Sequence, residues 1–354
     1  MYPVPREHGS MPSLESLIRR NSEDWDPAVE RAIFGTDDSH HIAGMIEGLI
    51  TERCGPIADA VFYRPGVGVV AGVRLVEGSE VVAKVHRDNV SAERLEAVHK
   101  VQALMAECGL PAPRPLVGPT RLAGGTAIIE ELLCGTGANG RDPFVRRSLA
   151  HGLHDFAMTT APLVGRVDVG SPNLIRPPEA SLWFEPHDLR FDFEGTSPGA
   201  EWIDSLARLA RRRLDQPDPN VVIGHFDWRI ENLSFNGAEI VGIFDWDSVA
   251  SAPETFVVGV AAASFTADWS TRTEPDPLPS VSEMRSFVED YERARGDPFD
   301  RAQREALDAA NLVACAYGAR CQHSDVTRHP ELIRAPIPPY IRLLRERGEQ
   351  ALID

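Results

Sequence analysis

The chain has 354 residues, 43% hydrophobic and 25% charged, an ordinary globular composition with enough length for two or three domains or one bilobed enzyme. Its net charge of -17 argues against a general nucleic-acid surface, which needs a basic footprint, and suits either plain solubility or a cationic small-molecule partner. No apolar run reaches the ~18 residues of a membrane helix. The opening stretch MYPVPREHGSMPSLESLIRR holds no apolar signal core. Cys54, Cys108, Cys134, Cys315 and Cys321 form no Cys-x-x-Cys pair, so neither a zinc cluster nor a disulfide framework is suggested, and a reducing cytoplasm is the expected location.

Residues 1–50 read as a helical extension, with helix-like periodicity in SLESLIRR, DPAVERAIF and IAGMIEGLITERCG. Residues 51–133 read as a small sheet domain. ADAVFY, VVAGVRLV and VVAKVH, separated by turn residues, predict an antiparallel meander. A helix follows, with Ser91 as N-cap, Gly109 as stop, and Leu95, Val98, Val101, Leu104 and Met105 as its apolar face. LPAPRPL reads as an extended proline-rich link and TAIIEELLCG as a buried strand. Residues 134–354 read as a larger, mainly helical domain interrupted near its middle by a strand–loop–strand–turn–strand segment. Strands first and helices after indicate an α+β fold rather than a parallel βαβ sheet.

That interrupting segment, GHFDWRIENLSFNGAEIVGIFDWDS, sets one His, three Asp and two Glu between apolar runs. Buried charges cost several kcal/mol unless paired or metal-bound. Asp227 follows His225 by two residues, Asn232 lies five further on, and Asp245 lies thirteen beyond Asn232. One carboxylate to take a proton, with an amide oxygen and a second carboxylate for Mg²⁺, suits phosphoryl transfer to a hydroxyl. A chance His-x-Asp with a turn-capping Asn is the competing explanation; the full His-x-Asp-x4-Asn followed by FDWD is much rarer.

HFDWRIEN resembles the protein-kinase catalytic loop. With IVGIFDWDS, it resembles still more closely the aminoglycoside phosphotransferase family of small-molecule kinases. The resemblance runs over roughly residues 57 to 320 and implies a bilobed, protein-kinase-like α+β fold. It implies Asp227 as catalytic base, Arg229 at the place of the kinase-loop lysine, Asn232 and Asp245 as Mg²⁺ ligands, and His225 as a brace for the loop. It makes further demands. A lysine should hold the nucleotide phosphates, and Lys84 stands in VVAKVH. An acid on the next helix should pair with it; the position expected from the family falls near His99, and Glu96, one turn away, is preferred over Glu93. Gly66 and Gly68 would let backbone approach the phosphates, although a hairpin turn explains them equally well. Glu131 C=O and Leu133 N–H would meet the base. ATP or GTP with Mg²⁺ is the expected cofactor set, and a hydroxylated, cationic small molecule the expected acceptor. Asp188, Asp192, Glu194, Glu201 and Asp204 offer acidic contacts to it, while most such acids are ordinary surface charges. A metabolite kinase and a non-catalytic nucleotide-binding module are the alternatives.

Overall fold

The computed structural model describes residues 12–24, 26–175, 181–214, 220–269, 276–333, 335–348 and 350. The chain divides between Cys134 and Gly135 into two compact units. The helices of the N-terminal extension belong to the same unit as the sheet and pack on it.

In the first unit, α1 (Leu14–Asp24), α2 (Ala28–Phe34) and α3 (Ser39–Arg53) precede β1 (Ile57–Pro65), β2 (Val69–Leu75) and β3 (Glu80–His86). Helix α4 (Ala92–Glu107) is followed by β4 (Pro115–Leu122) and β5 (Gly125–Glu131). The five strands form one antiparallel sheet in the order β1-β2-β3-β5-β4. Strand side chains alternate between faces. Val81, Ala83, Val85, Ala127 and Ile129 therefore share one face, and they bury it with Ile18, Ile33, Ile46 and Ile50 from the three N-terminal helices. The other face carries Val82, Lys84, Ile128 and Glu130.

Strand β4 was not anticipated from the proline-rich link. It sits at the sheet edge and contains Pro115 and Pro119, the setting in which a missing N–H is tolerated. Helix α4 starts at the expected cap, where Ser91 accepts a hydrogen bond from Arg94 N–H (3.2 Å). Leu95, Val98, Val101 and Met105 of the expected face are buried. His99 and Gln102 are buried as well, while Leu104 is only partly covered.

Among the described residues, the second unit contains six α-helices: α5 (Pro143–Thr160), α6 (Glu201–Leu214), α7 (Glu254–Ala262), α8 (Val281–Arg295), α9 (Arg301–Arg328) and α10 (Pro339–Arg347). Asp142 caps α5, with Pro143 at its first position. Ser280–Glu283 and Asp300–Gln303 form capping boxes on α8 and α9. Between α6 and α7 lie β6 (Val221–His225), β7 (Leu233–Asn236), β8 (Glu239–Ile243) and β9 (Val249–Pro253). Strand β6 pairs with β9 and β7 with β8, both antiparallel. Strand β9 follows directly on the FDWDS turn. Its pairing closes the loop segment on itself and sets His225 opposite Val249.

Candidate active site

The two units each carry one group of polar residues. In the sheet unit, Lys84 is 4% exposed in the middle of β3. Its ammonium lies 2.8 Å from the Glu130 carboxylate on β5, and Glu130 is 1% exposed. The expected partner, Glu96, does not make this pair; its carboxylate lies beside Gly118 of β4, and its charge acts on His99. Geometry explains the exchange. Glu130 pairs in register with Val82 and Ile128 with Lys84, so Glu130 and Lys84 are diagonal neighbours on one face, within reach of long side chains. Gln102 of α4 fixes the carboxylate by donating to it (2.8 Å) and to Pro113 C=O (2.9 Å). Burial holds the nearby His99 below the ordinary histidine pKa, against the pull of Glu130 and Glu96.

The glycines between β1 and β2 have separate reasons to be glycine. A Cβ on Gly68 would stand 2.6 Å from Val85 C=O, whereas one on Gly66 would meet nothing. Gly68 is thus required by the sheet itself, and only Gly66 leaves open space for another molecule. At the end of β5, Glu131 N–H donates to Arg114 C=O (3.0 Å) and Leu132 N–H to Glu80 C=O (3.0 Å). Leu133 follows just outside the ladder, half-buried.

In the second unit, Asp227 stands in the turn after β6. Its carboxylate accepts from Arg229, and from Asn232 Nδ2 at 2.7 Å. The same Nδ2 donates to Asp227 C=O at 2.9 Å. Both partners are acceptors, so the orientation of the Asn232 amide is fixed and its Oδ1 is directed away from Asp227. Arg229 also pairs with Glu231, at 3.2 Å. Desolvation raises the Asp227 pKa and Asp245 adds to the rise, while Arg229, His225 and Asn232 oppose it. A carboxyl group whose pKa is raised by desolvation is a better proton acceptor than an ordinary aspartate once ionised.

His225 braces the loop. Its Nε2–H donates to Phe244 C=O (2.8 Å), and its Nδ1 accepts from Asp227 N–H (3.3 Å). Phe244 N–H donates to Asn232 C=O (2.9 Å). Asp227, Asn232 and Phe244, the residue before Asp245, are therefore tied together by three hydrogen bonds. Asp245 itself is left-handed, with φ 63° and ψ 48°, a strained conformation for a non-glycine residue that occurs most often at functional sites. Ser248 holds it by donating from Oγ to Asp245 C=O (2.8 Å). Trp228 and Trp246 are scaffolding: each is 1% exposed, and their indoles donate to Leu149 and Ile243 C=O. Asp247 lies in the turn after Asp245, half-buried.

Asn232 Oδ1 and the Asp245 carboxylate are hard oxygen donors, the kind Mg²⁺ accepts when phosphates and water complete its shell. Sequence reasoning missed three residues near Asp227. Glu231 holds Arg229 and accepts from Trp269 N–H (3.2 Å). His187, whose Nδ1 meets the Tyr317 hydroxyl at 2.7 Å, is kept below the ordinary histidine pKa by desolvation and also feels the Asp227 charge. Tyr340, stacked on Trp269, has its hydroxyl pKa raised by burial and feels both Arg229 and Asp227. The acids expected to face an acceptor are largely engaged already. Asp192 pairs with Arg328, Asp188 is flanked by Arg190, and Asp204 accepts from Trp183 at 2.9 Å.

No curated protein matches this sequence. Among solved structures, an amicoumacin kinase in complex with AMP-PNP and Ca²⁺ superimposes with a TM-score of 0.62 at 13% identity, over 86% of this chain and 92% of that one. A thermostable mutant of the aminoglycoside phosphotransferase APH(4)-Ia, in complex with AMP-PNP and hygromycin B, gives 0.53 at 14% identity, over 80% and 92%. These likenesses establish the kinase-like fold. The model of the phosphotransferase enzyme family matches residues 72–307, more than half of the chain and all of the residues from Lys84 to Asp245. The chain belongs to the phosphotransferase enzyme family, as its resemblance to the aminoglycoside phosphotransferases implied.

Proposed function

We propose that this phosphotransferase is a Mg²⁺-dependent small-molecule kinase that moves the γ-phosphate of ATP or GTP to an acceptor hydroxyl. The observation that carries the reading is the tie between Asp227 and Asn232, which leaves a desolvated carboxylate as base and an amide oxygen turned away from it. Asp227 would take the hydroxyl proton as the acceptor oxygen attacks phosphorus. Asn232 and Asp245 would hold Mg²⁺, which supplies charge neutralisation on the phosphates when bound. Lys84 would hold the α- and β-phosphates, with Gly66 giving backbone room beside them and Glu131 C=O and Leu133 N–H meeting the base. Arg229 would exchange its contact with Asp227 for the γ-phosphate.

The first acceptor class is a cationic, aminoglycoside-like antibiotic, supported by the acidity of the chain and by the ligands of the structural neighbours. A second class, a metabolite such as an amino alcohol, sugar or nucleoside-like compound, is favoured by one observation. Asp188, Asp192 and Asp204 are engaged by arginines and Trp183, and aromatic rings stand nearby, Phe184 being stacked on Tyr317 with centroids 4.8 Å apart. An ADP-release assay with Mg²⁺ and ATP or GTP across both acceptor classes tests the reading. Turnover with one hydroxylated acceptor is expected. Nucleotide binding without turnover on any acceptor would favour a non-catalytic module instead.

A further inference from the structure

The sequence contains two lysines, Lys84 and Lys100. A chain that draws nearly all its basic side-chain charge from arginine keeps a lysine inside β3, where an ammonium without a counter-ion is heavily disfavoured. We propose that Glu130 is the positioning residue for Lys84, so that a strand carboxylate performs the task that the kinase-like fold was expected to give to an acid on α4. The proposal rests on the nucleotide role given to Lys84 above.

Three observations converge on Glu130. The pair is direct, at 2.8 Å, and both side chains are at least nine-tenths buried, so salt and water screen it little. The carboxylate is held from its other side by Gln102, whose amide is itself fixed by Pro113 C=O. With Oε2 held by Gln102, Oε1 is set toward the Lys84 ammonium. Third, the helix position expected to carry the acid lies near His99. His99 is buried beside the pair and kept neutral by that burial, so it offers no counter-charge. The expected helix position thus holds no acid, and one is present on the strand, beside Lys84 on the same face of the sheet.

The placement has a consequence for recognition. Glu130 immediately precedes Glu131, whose carbonyl was assigned to the nucleotide base. One strand end would then carry both the base contact and the anchor of the phosphate-binding lysine. Any displacement of β5 would be felt at both ends of the nucleotide.

The two-lysine composition makes the test simple. In a Lys100→Arg background, ¹³C-labelled lysine reports Lys84 alone. Glu130→Gln preserves shape and an acceptor for Gln102 but removes the charge. The expected result is that the pH at which Lys84 titrates falls by about one unit or more, that Glu96→Gln leaves it in place, and that MgADP binds about tenfold more weakly to Glu130→Gln. Adding His99→Glu to Glu130→Gln, which returns an acid to the helix, restores part of both losses; a purely structural role would not be rescued this way. Glu130→Asp keeps the charge at shorter reach, serves if the Gln variant does not fold, and should give an intermediate shift. An unmoved Lys84 titration in the Glu130 variants, or a shift in Glu96→Gln instead, overturns the proposal. The titration needs no nucleotide. Failure of the wild-type protein to bind MgADP would therefore count against the proposed function and leave the Lys84–Glu130 pairing to be judged on its own.

Discussion

The groups around Asp227 and around Lys84 are built in opposite ways. His225, Asp227, Asn232 and Asp245 come from one stretch of chain closed by local hydrogen bonds and by the β6–β9 and β7–β8 pairings. Lys84, Glu130, Gln102 and His99 come from two strands and a helix, and meet only when the sheet forms. The first is a motif and the second a fold-level assembly. Substitutions in the first should abolish chemistry while sparing stability. Substitutions in the second should disturb binding and stability together.

The largest effect expected short of removing the base is at Asp245. Asp245→Ala should lower kcat by about 10²–10³-fold with little change in melting temperature, since a half-buried side chain in a turn contributes little to the core. A large drop in melting temperature would blur the distinction between the two groups. Lys84→Met should raise the nucleotide KM by roughly tenfold to a hundredfold, the worth of a charge-assisted hydrogen bond. It should also destabilise the sheet unit, because Glu130 is left buried without its cation. Unchanged stability would mean that the pair is not the structural element described here.

The pH dependence sharpens the comparison further. Asp227 must be ionised to accept a proton, and its pKa is raised by desolvation. Activity should therefore fall on the acid side at a higher pH than an ordinary aspartate gives, being lost as pH drops through the raised value. Arg229 opposes the rise, so Arg229→Gln should move that acid limb upward by about one unit, which a kcat/KM profile would show. The smallest effects concern the glycines. Gly68→Ala should cost about 1–3 kcal/mol through its clash with Val85 C=O, while Gly66→Ala should lie within about 0.5 kcal/mol and act, if at all, on nucleotide KM. Thermal melts of the two variants separate these roles.

The same contrast governs what the sequence discloses. The Asp227 group is legible because its spacing is local, and neighbours in sequence are neighbours in space. Strand β9 is not, since VASAP carries no alternation and gains its identity from pairing with β6. Edge strand β4 is obscured by its prolines. Glu130 was overlooked although a signal was present. In TAIIEE, period two places Glu130 on the face of Ile128 in a buried strand, as VVAKVH places Lys84 beside Val82. Two lone charges of opposite sign in two buried strands of one small sheet are each other's natural partners. The engagement of Asp192 by Arg328 had no such signal, because the partners lie far apart in sequence and on unrelated elements.

The most direct measurement is the single-turnover transfer of γ-phosphate by Asp227→Asn beside the unsubstituted protein, with the acceptor found by the ADP-release panel. The expected result is a loss of about 10²–10⁴-fold in the transfer step, with MgADP affinity and melting temperature close to those of the parent. Transfer at the parent rate by a folded Asp227→Asn protein would contradict the assignment of Asp227 as the base.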